Sequence, residues 1–221
     1  VRCCGELARL RPDLVRLAVR AESAPPCEFP GVEFHVEPDA EFEKISSTVN
    51  SQGVLMVAAR PAWTESPPES PFVIVLDRVS DPGNAGTIFR TARAAGIRDV
   101  WLTEGSVDPY SDKVIRSATA SQFALRLRMF DDLDGAGRML RESGIKKIYR
   151  TVPHTGASCF TEEGLFDRSA IIFGSEGAGA GELGGAEPLT IPMPGGVESI
   201  NVAQAATVIL FEHVRRKSLK G

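Results

Sequence analysis

The chain has 221 residues, 43% of them hydrophobic and 24% charged, and a formal net charge of −4 at pH 7. This is the composition of an ordinary globular protein, and it excludes a disordered chain, a fibrous repeat and a strongly basic, non-specific binder of nucleic acids. The four cysteines form no C-x-x-C pair, which argues against a zinc or disulfide framework. Because the apolar runs are too short for a membrane span and no signal peptide is visible, we expect a cytoplasmic protein without a membrane partner.

The charge divides the chain into regions. Residues 21–70 carry two basic and nine acidic residues, a balance of −7, whereas residues 71–130 carry eight basic and six acidic residues, a balance of +2. The stretch 61–71 coincides with this change and is too rich in proline to continue a helix or a central strand. We read it as a linker, which predicts a small domain over residues 1–66 and a larger one over residues 71–221.

The small domain has the pattern of a short α/β module without an evident catalytic cluster. Residues 13–18 are ambiguous between strand and helix. Residues 32–36 alternate as in a short strand, residues 41–48 have a helical pattern, and residues 54–58 form an apolar strand.

In the larger domain, the pattern of strand, loop and helix repeats. Strands are predicted at residues 72–76, 100–102, 125–130, 148–152, 170–173 and 189–191. A first helix is predicted by apolar residues that recur at helical spacing between residues 88 and 97, with Gly96 placed to end it. Further helices are predicted at residues 111–118, 131–143 and 201–217. The strands are apolar without strict alternation, which is typical of a parallel sheet covered by helices on both faces. The predicted fold class is therefore α/β with a parallel sheet.

Three glycine-rich loops follow predicted strands, at residues 81–86, 174–181 and 192–201. In open α/β sheets, ligands bind at the carboxyl ends of the strands, so these loops predict a small-molecule pocket. Their glycine spacing does not fit the dinucleotide pattern G-x-G-x-x-G, and the phosphate-binding pattern G-x-x-x-x-G-K-[ST] is absent from the sequence. The three histidines are too scattered to propose a metal site.

The same loops carry three motifs of a known family. Residues 77–96, 172–179 and 191–203 resemble the motifs of the SpoU branch of the SPOUT RNA methyltransferases, in the family's order and spacing. The resemblance covers residues 72 to 216. It implies a trefoil knot in the C-terminal half of the sheet, an exception to the rule against threaded chains, with S-adenosylmethionine bound in that knot.

By position, the resemblance also implies the residues of the site. Those bordering the cofactor are Thr151, Gly174, Glu176, Gly177, Ile191, Met193, Ser199, Ile200 and Ala203. Those serving the methyl transfer to a ribose 2′-hydroxyl of RNA are Arg90, Asn84, Glu176, Ser199 and Asn201. Phosphate contacts depend on local rather than total charge, so the mildly basic segment that follows the linker is expected to contact RNA. Its proposed RNA-binding residues are Arg90, Arg93, Lys113 and Arg116.

The role of Arg90 needs a chemical argument. A guanidinium is effectively always protonated, so a free arginine is a poor base. We therefore prefer a role in which Arg90 binds the target phosphate and stabilises developing oxyanion charge, while proton abstraction stays open. Ser199 and Asn201 precede the last helix, where serine and asparagine are favoured as caps, and capping is compatible with a role in the site.

Two further features concern partners. Residues 34–55 are similar to the substrate-binding domain of family members that act on ribosomal RNA, a domain like the small RNA-binding ribosomal proteins; its opening portion is shortened here, as in an N-terminally truncated domain. This resemblance favours 23S rRNA over tRNA as the substrate. The last helix has an apolar face too wide for packing on one side only, which predicts a homodimer through that helix, as in the family.

Two other functions remain open at this point. One is a tRNA ribose 2′-O-methyltransferase, and the other is a non-catalytic RNA-binding protein that kept the knot. The sequence does not distinguish housekeeping modification from antibiotic resistance.

Overall fold

The structure is a computed structural model that describes residues 1–48 and 50–219; the last two residues of the predicted larger domain lie outside the described residues. Within this part, the helices are α1 (Arg2–Leu10), α2 (Asp39–Ile45), α3 (Pro82–Ala94), α4 (Asp112–Ala118), α5 (Leu133–Glu142) and α6 (Val202–Ser218). The strands are β1 (Val15–Ala21), β2 (His35–Glu37), β3 (Val54–Ala58), β4 (Phe72–Asp77), β5 (Asp99–Thr103), β6 (Arg126–Phe130), β7 (Lys147–Thr151), β8 (Ala157–Ser158), β9 (Ser169–Gly174) and β10 (Ala186–Thr190).

A small sheet in the order β2-β1-β3 forms the centre of the N-terminal module. Strand β1 runs parallel to β2 and antiparallel to β3, and Phe42 of α2 packs against Val19 and Ala21 of β1. The ambiguous residues 13–18 divide between a 3₁₀ turn at Pro12–Leu14 and the start of β1. The predicted strand 32–36 forms only from His35 onward, because the chain turns at the preceding residues.

The larger sheet has seven strands in the order β6-β5-β4-β9-β7-β10-β8, and every pairing in it is parallel. Strand β4 lies between β5 and β9 and is fully buried, with Phe72, Ile74 and Leu76 on the face covered by α3 and α6. Val73 and Val75 lie on the opposite face, which α5 covers. A sheet covered on both faces explains the unbroken apolar runs in the sequence, and the predicted α/β class is confirmed.

The strand order brings distant loops to one edge. Strand β9 pairs between β4 and β7, and β10 pairs on the far side of β7. Because all these strands are parallel, the loops that follow β4, β7, β9 and β10 emerge at the same edge of the sheet. The strand order does not by itself establish threading, so the trefoil knot stays a prediction.

Most predicted elements of the larger domain lie within a few residues of their predicted bounds, and Gly96 and Gly144 follow their helices with φ values of +77° and +75°. The largest differences are at α3, which starts at Pro82 rather than residue 88, and at β10, which starts at Ala186 rather than residue 189. Its residues Glu187 and Pro188 are exposed, so the apolar pattern gave no signal for them. Helix α1 was not predicted at all. Among the described residues, no helix is long and apolar enough to cross a membrane.

The two predicted domains share a core. Leu7 of α1 and Leu14 pack against Ala120 and Phe123, which lie beyond the linker. The linker itself has neither helix nor strand. Arg126 of β6 donates to the Pro67 carbonyl and also forms ion pairs, and these contacts hold the linker to the edge of the sheet. The predicted boundary between a domain ending at residue 66 and one starting at residue 71 stays a prediction, because side chains from both sides of it pack together.

Candidate active site

A cavity of about 470 Å³ opens where β7, β9 and β10 end. This size is ordinary for a site that takes a small molecule or cofactor. Eight of the nine residues predicted to border a cofactor line it: Thr151, Gly174, Glu176, Gly177, Ile191, Met193, Ser199 and Ile200. The ninth, Ala203, does not line the cavity and is buried in the first turn of α6, 4% exposed.

The glycine loop after β9 forms one wall of the cavity. Ser175 and Gly179 pair across it, and a Cβ at Gly174 would lie 1.9 Å from the Ala180 nitrogen. Only glycine allows so close a backbone approach. A Cβ at Gly177 would meet nothing within 4 Å, so that residue borders open space rather than packed protein.

Asp77 anchors the other end of this loop. Its carboxylate is buried at the end of β4 and accepts hydrogen bonds from the Gly181 nitrogen at 2.9 Å and from the Thr103 hydroxyl at 2.9 Å. Arg78 pairs with the same carboxylate at 2.9 Å. The sequence analysis missed this role, although an acidic residue closing an apolar strand is a signal, since buried carboxylates need partners.

The opposite wall of the cavity is largely apolar. Ile191, Met193 and Ile200 come from the segment between β10 and α6, and Ile209 comes from α6 itself. Thr151 closes the base, where its hydroxyl donates to the Ile172 carbonyl of β9 at 3.0 Å.

Asn84, Glu176 and Asn201 form a closed ring of hydrogen bonds, which we call the amide–carboxylate cluster. The side-chain nitrogens of Asn84 and Asn201 each donate to Glu176 Oε1 at 2.7 Å. Asn201 also donates to Asn84 Oδ1 at 2.9 Å. The cluster joins α3, the glycine loop and the start of α6, and two of its members line the cavity.

The cap of α6 is provided by Asn201. Its Oδ1 accepts from the Ala203 and Gln204 nitrogens at 2.9 and 3.3 Å, so this residue combines capping with membership of the cluster. Ser199 lines the cavity instead, and no group in the described ranges hydrogen-bonds to its hydroxyl.

Arg90 does not join the amide–carboxylate cluster. It follows Asn84 by six residues on α3, which places the two side chains about 120° apart around the helix. Arg90 lines a second, shallower cavity of about 290 Å³, which we call the arginine groove. Its lining residues are Arg2, Glu6, Arg90, Arg93, Ala94, Thr119 and Ser121.

The other residues predicted to bind RNA lie on the adjoining surface of α3 and α4. Arg93 pairs with Glu6 of α1 at 2.9 Å, and Arg116 lies 3.9 Å from Asp112. Lys113 is exposed. These side chains make a surface that is basic in part, with two of its three cations near a carboxylate.

Comparison with known proteins places the chain in a family. The model of the family described as the SpoU rRNA methylase family matches residues 71–211. The chain therefore belongs to the SpoU rRNA methylase family.

Two curated relatives are similar over most of this chain. An uncharacterized tRNA/rRNA methyltransferase of Synechocystis is 38% identical over 180 residues, covering 79% of this chain and 64% of the relative, slightly less than two thirds of its length. The 23S rRNA (guanosine(2553)-2'-O)-methyltransferase RlmP of Bacillus subtilis is 32% identical over 215 residues, covering 95% of this chain and 84% of the relative.

Two solved structures have the same fold. A protein described as an RNA methyltransferase of the TrmH family, from Porphyromonas gingivalis, superposes with a TM-score of 0.81 at 30% identity, over 97% of this chain and 87% of the other. An AdoMet-bound rRNA methyltransferase from Sinorhizobium meliloti superposes with a TM-score of 0.77 at 26% identity, over 96% and 85% of the two chains.

Proposed function

We propose that this chain transfers a methyl group from S-adenosylmethionine to a ribose 2′-hydroxyl of RNA, with 23S rRNA as the substrate. The observation that carries the proposal is the amide–carboxylate cluster, which places an oriented carboxylate, Glu176, on the wall of a cofactor-sized cavity. RlmP, which aligns with 95% of this chain, is named as an enzyme of that activity.

The residues of the cavity fit S-adenosylmethionine. Glu176 and Glu198 contribute negative charge, which suits a ligand that carries a sulfonium and an ammonium group. Ile191, Met193 and Ile200 offer apolar surface for an adenine ring, and the backbone of the glycine loop offers donors and acceptors for its edge. When bound, this cofactor supplies an electrophilic methyl group for in-line displacement by the ribose oxygen.

The task of the protein is to position the ribose hydroxyl. Both amide donors of the cluster bind Glu176 Oε1, and no group of the described residues binds Oε2. We assign Oε2 and the Ser199 hydroxyl to the ribose, where they orient the reacting oxygen. Asn201 Oδ1 accepts from the Ala203 nitrogen of α6, and the Asn201 amide in turn donates to Asn84 Oδ1. Because the two amides are held in this way, the carboxylate is fixed before the substrate arrives.

Arg90 serves the RNA phosphate in this proposal. Its guanidinium is permanently charged, and it leaves α3 on a different face from Asn84. Both facts favour binding of a phosphate beside the target nucleotide over removal of the ribose proton. Arg93, Lys113 and Arg116 extend the same basic surface.

We also propose a homodimer through α6. Phe211 on this helix is 48% exposed and Val197, in the segment before it, is 51% exposed, so apolar surface is left uncovered in the single chain. A monomer at micromolar concentration in light scattering would contradict the dimer.

The substrate class follows from the extent of the similarity. The alignment with RlmP includes the N-terminal module, not only the methylase domain. This favours rRNA over tRNA, and we propose a cytoplasmic location, where bacterial rRNA is modified. We interpret residues 1–66 as the RNA-binding module of the enzyme.

The experiment that tests the proposal has two steps. Calorimetry with S-adenosylmethionine measures cofactor binding, and labelled cofactor then measures transfer to rRNA and to tRNA from cells that lack the gene. We expect transfer to rRNA. Transfer to tRNA alone would contradict the substrate, and RNA binding without any transfer would favour the non-catalytic alternative.

A further inference from the structure

The arginine groove joins two parts of the chain that the proposed function treats separately. Arg2 and Glu6 come from α1 of the N-terminal module, whereas Arg90 and Arg93 come from α3 of the methylase domain. The groove of about 290 Å³ therefore exists only while α1 is packed against the larger domain.

The charges in the groove are incompletely balanced. Glu6 Oε2 accepts from Arg9 and from Arg93, each at 2.9 Å, and these two hydrogen bonds lower the pKa of the Glu6 carboxyl below its usual value. Glu6 is thus ionised and committed to those partners. Neither Arg2 nor Arg90 forms an ion pair with any residue that the structure describes. Two guanidinium groups in one cavity repel each other, and an anion between them removes that repulsion.

A buried serine lines the groove beside the arginines. Ser121, which comes just after α4, is 3% exposed. Thr119 and Ala120 precede it with φ values of +51° and +59°, a conformation that residues other than glycine rarely adopt.

We propose that the arginine groove binds a phosphodiester of the RNA strand that carries the target nucleotide. Arg2 and Arg90 bind its non-bridging oxygens, with the paired geometry that arginine offers to phosphate. Arg90 lies about 9 Å along α3 from Asn84, so a phosphate held here anchors the strand near the amide–carboxylate cluster. This inference rests on the proposed function and adds α1 to the substrate site.

The test is Arg2→Ala in the full chain, because alanine keeps the helix intact. Filter binding of an in vitro transcript of bacterial 23S rRNA is measured at several salt concentrations. We expect affinity to fall about tenfold at low salt and the slope of log K against log salt to decrease by about 0.7 to 0.9, the effect of one lost phosphate contact. Cofactor affinity by calorimetry stays at the wild-type value, and Arg2→Lys recovers part of the loss.

Arg138→Ala is the matched control. Arg138 is an exposed arginine of α5, which covers the opposite face of the sheet, so its removal is expected to leave affinity and salt slope unchanged. In the double variant Arg2→Ala with Arg90→Ala, a shared phosphate predicts a loss smaller than the product of the two single losses.

The outcomes separate the inference from the proposed function. Wild-type affinity and slope in Arg2→Ala, or strictly multiplicative losses in the double variant, would overturn the phosphate site while methylation by the wild type stands. A wild-type chain that neither binds nor methylates the transcript would overturn the proposed function, and this inference with it.

Discussion

In the amide–carboxylate cluster, Asn84, Glu176 and Asn201 satisfy one another, whereas in the arginine groove Arg2 and Arg90 line one cavity without an ion-pair partner of their own among the described residues. Both regions border α3, yet the first is complete in the free chain and the second is completed by an anion. The difference separates two demands of the proposed reaction. Groups that orient a reacting atom gain from being fixed in advance, and groups that attract a polyanion gain from unbalanced charge.

The largest expected effect is on catalysis, from Glu176→Gln. The glutamine keeps the size of the side chain and one oxygen that can accept from both amides. It removes the negative charge and replaces Oε2, the oxygen assigned to the ribose, with an amide donor. We expect kcat to fall about a hundredfold or more, as when one preorganised polar group is removed from other active sites. Single-turnover methyl transfer measures this, with the melting temperature as the control for folding. A wild-type kcat in a folded variant would remove Glu176 from the chemistry.

Gly174→Ala tests the wall of the cavity. A Cβ would lie 1.9 Å from the Ala180 nitrogen, so the glycine loop must move. We expect a loss of at least about tenfold in cofactor affinity and a destabilisation of about 1–3 kcal/mol, typical of overpacking. Gly177→Ala is the matched control, because its Cβ meets open space, and its free energy of unfolding should stay within about 0.5 kcal/mol of wild type. Equal effects in the two variants would contradict the geometry of the loop.

Ser199→Ala is expected to have a smaller effect. The Ser199 hydroxyl has no partner in the described parts of the chain, so its removal should not change stability, whereas loss of one contact to the ribose should lower kcat/KM about tenfold. Comparison of melting temperature with kcat/KM checks this. A drop in melting temperature with unchanged kcat/KM would contradict the contact to the ribose and assign Ser199 a structural role.

The smallest effect on the reaction is expected from two ion pairs within α6. Hydrogen bonds from Arg215 and Arg216 lower the pKa of Glu212 to about 2. Because the pKa of Glu212 is lowered in the folded chain, its hydrogen bonds to the two arginines stabilise the fold above about pH 4.5. This stabilisation is lost as the pH falls toward 2. Glu212→Gln should flatten the dependence of unfolding free energy on pH in that window and cost about 1–2 kcal/mol at pH 7, with kcat unchanged. Urea unfolding at several pH values measures it, and an unchanged acid slope would contradict the assignment.

The sequence predicted the scaffold better than it predicted the groove. Strands such as β4 and β9 are unbroken apolar runs, and the glycines that end helices or form the loop after β9 have few alternatives at their positions. The amide–carboxylate cluster was predictable only by resemblance, because Asn84 and Asn201 stand 117 positions apart. Fold alone brings them together.

Other features had no local signal. A motif assigns Arg90 to the site, but its spacing of six residues from Asn84 directs it to another face of α3. The arginine groove around it forms only when α1 packs against that face. Helix α1 was missed because its apolar residues pack across the predicted domain boundary. Tertiary contacts between the two domains are therefore the main source of what sequence reasoning did not find.

The most direct test of the central claim is a map of 2′-O-methylation across 23S rRNA and tRNA from a strain that lacks this gene, complemented with the wild-type chain or with Glu176→Gln. We predict one 2′-O-methyl group in 23S rRNA that is absent from the deletion strain, restored by the wild type and not restored by the variant. Identical maps for the deletion and complemented strains, or restoration by Glu176→Gln to the wild-type level, would contradict the account.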